Sequence, residues 1–145
     1  MSYQVKDYMN KEVITLNIEA NVTEIAQVMT ADVNNEGYVI ILSGGKPVGI
    51  VTERDLIREV LAKEVAPTQI KISEIMSSPL ITIDPDDDLL KASKLMVEQK
   101  VRKLVVMRNN IIYGILTAKD IAQSCGTYVE KSVKDVIRWT APLSF

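Results

Sequence analysis

The apolar positions of this chain change their period along its length, and they do so twice in the same order. Residues 13–16 and 80–83 are short β-branched runs that read as strands. Val22, Ile25, Ala26 and Met29 then recur at helical spacing, and Leu89, Ala92 and Leu95–Met96 make the equivalent stripe, so a helix is expected after each strand. Asn21 suits the N-cap of the first helix, with Glu24 three residues on. The acidic run Asp86–Asp88 suits the positive end of the second. Two strands follow in each copy, Tyr38–Leu42 with Pro47–Val51 and Leu104–Met107 with Ile111–Leu116. Gly44-Gly45 and Asn109-Asn110 sit between them as hairpin turns, because these residues tolerate positive φ. A last helix is predicted from each of Thr52 and Thr117, running to about Ala62 and Cys125.

The order β-α-β-β-α therefore occurs twice, and an internal repeat of this kind fixes the architecture. Val5-Lys6-Asp7-Tyr8-Met9 matches Ile72-Ser73-Glu74-Ile75-Met76, and Val13-Ile14-Thr15 matches Leu80-Ile81-Thr82. The first copy is two residues longer, an insertion assigned to the polar Asp32–Gly37 stretch, where a change of loop length costs little. The expected layout is residues 3–63 and 72–125 as two repeats, a linker at 64–71 containing Pro67, and a tail at 126–145. The tail has a weak helical pattern in Val129, Val133, Val136 and Ile137. Each unit is near the lower size limit for a self-sufficient core, so the two are expected to pack their sheet faces together in an α+β fold.

Composition narrows the function. Hydrophobic residues are 47% and charged residues 25%, the balance of a globular protein, and the net charge of −2 gives no overall footprint for nucleic acid. No apolar stretch is long enough to span a membrane, no secretory signal is visible, and the single cysteine, Cys125, cannot form an internal disulfide. Together these point to the cytoplasm. There is no histidine, which removes the commonest general base and the usual zinc ligands. No catalytic set is assembled, and a non-enzymatic role without catalytic residues, metal or required cofactor is expected.

The chemistry-bearing groups concentrate in one repeated heptad: Gly49-Ile50-Val51-Thr52-Glu53-Arg54-Asp55 and Gly114-Ile115-Leu116-Thr117-Ala118-Lys119-Asp120. Each threonine opens a predicted helix, where free backbone N–H groups and the dipole attract phosphate. A carboxylate can accept from both hydroxyls of a cis-diol, and Arg54 and Lys119 place a cation beside each aspartate. Thr-x-x-Asp ahead of an apolar run is equally a helix capping box. The two readings use the same helix terminus and can alternate.

These heptads, the paired strands and the openings "Val-Lys-Asp-Tyr-Met" and "Ile-Ser-Glu-Ile-Met" together resemble a tandem pair of cystathionine-β-synthase (CBS) domains, a Bateman module, over about residues 3–125. The resemblance implies two β-α-β-β-α repeats related by a pseudo-two-fold, with two clefts between them that take adenosine-containing ligands such as AMP, ADP, ATP, S-adenosylmethionine or a dinucleotide. It implies Asp55 and Asp120 as ribose ligands and Thr52 and Thr117 as phosphate contacts. Ile14 and Ile81, with neighbours such as Leu80, become adenine walls. Val101-Arg102-Lys103-Leu104 resembles the basic segment with which some members grip phosphate, whereas the first copy has Glu36-Gly37-Tyr38-Val39 there. The Asp120 cleft is therefore expected to be the better anion site, although the sequence does not show which basic residue reaches which cleft, and Arg54 could serve either.

Plainer roles compete for several residues. Arg102-Lys103 also reads as a solvated pair at a strand edge. Asp84, Asp86 and Asp88 stand like the start of a calcium loop, but Leu89 and Leu95 occupy its glycine and glutamate positions, so helix-terminus acids are the better account. Met9 and Met76 are expected to fill core gaps, and Cys125 to be a small packed residue. The expectation is a stand-alone regulatory sensor of an adenine nucleotide, forming a homodimer and acting on a downstream protein partner. The alternatives are a structural or oligomerisation module with no bound nucleotide and, with less support, a nucleic-acid-binding regulator.

Overall fold

The computed structural model describes residues 3–31 and 37–124. Residues 32–36 of the Asp32–Gly37 stretch to which the insertion is assigned, Cys125 and the tail at 126–145 lie outside the described residues.

The first repeat runs β1 (Thr15–Asn17), α1 (Val22–Ala31), β2 (Tyr38–Ser43), β3 (Lys46–Thr52) and α2 (Glu53–Leu56), which continues into a π-helical turn at Ile57–Leu61. A linker with a 3-10 turn at Pro67–Gln69 leads to α3 (Ile72–Ile75). The second repeat then follows as β4 (Thr82–Ile83), α4 (Leu89–Gln99), β5 (Lys103–Arg108), β6 (Ile111–Thr117) and α5 (118–124). Asn21 caps α1 as its chemistry predicts, its Oδ1 accepting from Glu24 N at 2.8 Å while its side-chain Nδ2 donates to Glu24 Oε1 at 3.0 Å. Asp88 caps α4, accepting from Lys91 N at 2.7 Å. Gly44-Gly45 and Asn109-Asn110 all have positive φ, as two-residue hairpins require.

Each repeat forms a three-stranded sheet in which the short first strand is parallel to the second and the second is antiparallel to the third. Both hairpins carry a register shift at the same place, after Ile41 and after Val106. The middle strands are buried on both faces. Val39 and Ile41 join the core under α1, and Leu104 and Val106 the core under α4. Tyr38, Ile40, Val105 and Ile115 form a third core between the two sheets, so the sheet faces pack together as expected.

Three details differ from the sequence reading. β1 and β4 begin two residues later than the β-branched runs, so Ile14 and Ile81 lead into strands and are half-buried. Ala26 is exposed, and α1 buries only Val22, Ile25 and Met29 fully. Asp84 and Asp86 do not sit at the α4 terminus. They clamp Arg108, whose Nε and Nη2 reach Asp84 at 2.9 and 2.6 Å and whose Nη2 reaches Asp86 at 2.5 Å, while Lys6 binds Asp86 at 3.0 Å.

The opening segments cross between repeats. Val5 is fully buried in the α4 core, with Tyr8 and Met9 packed against it, and Ile72 and Ile75 are buried in the α1 core beside Met76. Ser77 exchanges backbone hydrogen bonds with Ile50 of β3 at 2.9 and 3.1 Å. Asn10 does the same with Ile115 of β6 at 2.9 Å in both directions. This reciprocity is the pseudo-two-fold of the pair.

Candidate ligand-binding site

β3 ends where α2 begins, and Thr52 is the hinge between them. Its backbone is extended, and it closes a full capping box with Asp55. Asp55 Oδ2 accepts from Thr52 N at 2.9 Å and from Thr52 Oγ1 at 3.1 Å, and Asp55 N donates to Thr52 Oγ1 at 3.3 Å. Asp55 is 4% exposed, and its other oxygen, Oδ1, accepts from Arg58 Nη2 at 3.1 Å. Thr117 and Asp120 form the same pair, with Asp120 Oδ2 accepting from Thr117 N at 2.9 Å and Asp120 N donating to Thr117 Oγ1 at 3.1 Å. Both heptads therefore hold their aspartates as helix caps, the plainer of the two sequence readings. Asp120 is only half-buried, and Gln123 stands where the first repeat has Arg58.

Thr52, Arg54 and Asp55 line a cleft of about 430 Å³ between the repeats, within the range of roughly 300–1,000 Å³ usual for small-molecule sites. Its second wall is the crossing segment and the residues leading into β4, contributing Ser77, Pro79, Leu80 and Ile81. Its lining also includes Lys100 and Arg102 from the turn between α4 and β5, and Lys103 at the start of β5. The lining thus includes five cationic residues (Arg54, Arg58, Lys100, Arg102, Lys103) and two carboxylates, Glu53 and Asp55. Such an excess in a concave site attracts anions.

The basic segment lies with the first heptad, not the second. Arg102 and Lys103 line the cleft of the first heptad, while Thr117, Lys119, Asp120 and Ile14 are not among its lining residues. The cause is the exchange across the pseudo-two-fold: a heptad from one repeat faces the strand opening of the other. In the first repeat Tyr38, 3% exposed, takes the position equivalent to Lys103, since each is the strand partner of its repeat's threonine. Sequence reasoning missed Arg58 and Lys100. Arg58 was within reach, because i+3 spacing from Asp55 puts both on one helix face. Lys100 ends α4 in a left-handed conformation with φ 56°, which the sequence does not signal.

Fold and cleft together define a tandem pair of α+β repeats that share a polar cleft at their interface. The chain belongs to the CBS-domain family, whose model matches residues 5–62 and 72–125. It is 36% identical over 124 residues to the protein MK0525 of Methanopyrus kandleri, covering 84% of this chain and 62% of that one. It is 30% identical over 118 residues to the CBS domain-containing protein YhcV of Bacillus subtilis, covering 81% and 82%. The chain thus spans less than two thirds of the Methanopyrus relative's length. Among solved structures it resembles the CBS domain pair of protein MJ0100 in complex with 5′-methylthioadenosine and S-adenosyl-L-methionine, with a TM-score of 0.78 and 27% identity over 88% of this chain and 99% of that one. It also resembles a hexameric CBS-CP12 protein from bloom-forming cyanobacteria, with a TM-score of 0.77 and 25% identity over 84% and 67%.

Proposed function

We propose that the chain is a regulatory module that binds an adenine nucleotide (AMP, ADP or ATP) in the Thr52–Asp55 cleft. The observation that carries this reading is that five cationic residues from both repeats line the cleft that holds the buried Asp55, beside an apolar wall of Ile50, Pro79, Leu80, Ile81 and Val105. In this reading the cations and Thr52 hold phosphate, Asp55 accepts from the ribose hydroxyls, and Leu80 and Ile81 pack on the adenine. The ligands of the MJ0100 pair support an adenosine-type occupant. The excess of cations favours a phosphate-bearing one over a sulfonium, because like charges disfavour the wrong ligand. Thr117, Lys119, Asp120 and Ile14 supply a second candidate site with weaker cationic support.

The role proposed is binding rather than turnover. A ligand gripped by both repeats biases their arrangement, and this regulates a protein partner that binds one arrangement better than the other. A homodimer belongs to the same reading, supported by Ile57 and Leu61, which are 57% and 70% exposed on the turn that follows Asp55.

Thermal denaturation with AMP, ADP, ATP, adenosine, S-adenosylmethionine and NAD tests the reading, with light scattering on the same samples for the dimer. Ligand at 100 times its dissociation constant is expected to add about 2.7 kcal/mol. Phosphate-bearing adenosines are expected to exceed adenosine, and Asp55→Ala to lose more affinity than Asp120→Ala. The closed capping boxes favour a second reading, a structural module with no nucleotide. An unmoved transition with every compound decides for that one.

A further inference from the structure

We infer that Arg58 makes recognition of a diol in this cleft conditional on an accompanying anion, a positioning and specificity role that rests on the nucleotide reading above. The acceptor sites of Asp55 set the limit. A carboxylate offers about four lone-pair positions. Asp55 Oδ2 spends its two on Thr52 N and Thr52 Oγ1, and Oδ1 gives one to Arg58 Nη2 at 3.1 Å. One position remains, whereas the cis-diol of a ribose presents two hydroxyl donors. For a nucleoside without phosphate, which leaves Thr52 Oγ1 on Asp55, both can be accepted only when Arg58 withdraws.

Arg58 is placed to withdraw toward a ligand. It lines the cleft, and its side chain is 55% exposed while that of Asp55 is 5% exposed. Its remaining partner, Glu59, also binds Lys63 and so keeps a cation when Arg58 leaves. A phosphate offers the guanidinium a bidentate partner stronger than the single contact it gives up. A nucleoside without phosphate must displace Arg58 from a buried carboxylate and offers it nothing in return. The second repeat has Gln123 at this position and lacks the device.

Calorimetric titration of the full chain and of Arg58→Met with AMP and with adenosine tests the inference. The wild type is expected to prefer AMP. Arg58→Met is expected to bind AMP more weakly and adenosine several-fold more tightly, so that the preference falls by about tenfold or more, the scale of one charged hydrogen bond. The tightening of adenosine is the decisive sign, because a residue that only contacts phosphate would leave adenosine untouched. Adenosine binding that is unchanged or weaker in Arg58→Met overturns the role given to Arg58 while leaving the nucleotide reading standing. A wild type that binds neither compound overturns both.

Discussion

At the scale of single residues, the heptad glycines separate packing from chemistry. Gly49 and Gly114 look like part of a binding motif, yet each sits under the crossing segment that enters from the other repeat. A Cβ at Gly49 would stand 2.6 Å from Met76 Sδ and 3.0 Å from Ser77 O. One at Gly114 would stand 2.5 Å from Asn10 O and 2.9 Å from Met9 Sδ. The two methionines do fill core gaps, and each fills its gap against the glycine of the opposite repeat's hairpin. A thioether moves aside more readily than a backbone carbonyl paired in a bridge. Gly114→Ala is therefore expected to cost about 1–3 kcal/mol, the usual range for overpacking, and Gly49→Ala less. Urea denaturation of both variants checks the order, and a larger loss for Gly49→Ala contradicts it.

At the scale of elements, what is local in the sequence was legible and what is distant was not. Helical spacing located α1 and α4, Asn21 and Glu24 announced a cap, and paired positive-φ residues marked both hairpins, since each signal lies within a few residues of what it specifies. Which heptad faces Arg102 and Lys103 depends on a crossing between repeats, and no spacing encodes it. The same limit hid the partner of the acidic run. Asp84 and Asp86 suit a helix terminus by position, but Arg108 on β5 claims both, and Lys6 ties the opening segment to the same cluster. The Arg108 guanidinium is the main cause that lowers the Asp84 carboxyl to about 2. A carboxyl lowered on folding stabilises the fold above its unfolded value near 4 and loses that contribution as pH falls toward 2. Melting temperatures between pH 6 and pH 2 should therefore fall more steeply for the wild type than for Asp84→Asn below pH 4. Parallel curves would show that the cluster adds no stability.

At the scale of the whole molecule, the crossing makes the two repeats parts of one cooperative unit. Each repeat buries residues of the other: Val5 completes the core under α4, and Ile72 and Ile75 complete the core under α1. A fully buried aliphatic side chain of this size contributes about 1.5–3 kcal/mol. The shared core of Tyr38, Ile40, Val105 and Ile115 would lose the facing half of its contacts in a separated repeat. Against a net domain stability of about 5–15 kcal/mol, losing both leaves neither half able to fold alone. Residues 1–70 and 71–145, produced separately, are thus expected to lack a cooperative thermal transition and to recover one when mixed. The proposed nucleotide, gripped by Arg54 and Asp55 from one half and by Arg102 and Lys103 from the other, should raise the affinity of the halves for each other by mass action. Circular dichroism melts of each half, of the mixture, and of the mixture with AMP check the three steps in turn. A cooperative transition in either half alone would show that the crossing segments decorate self-sufficient repeats. In that case a ligand in the cleft would have far less leverage over the molecule.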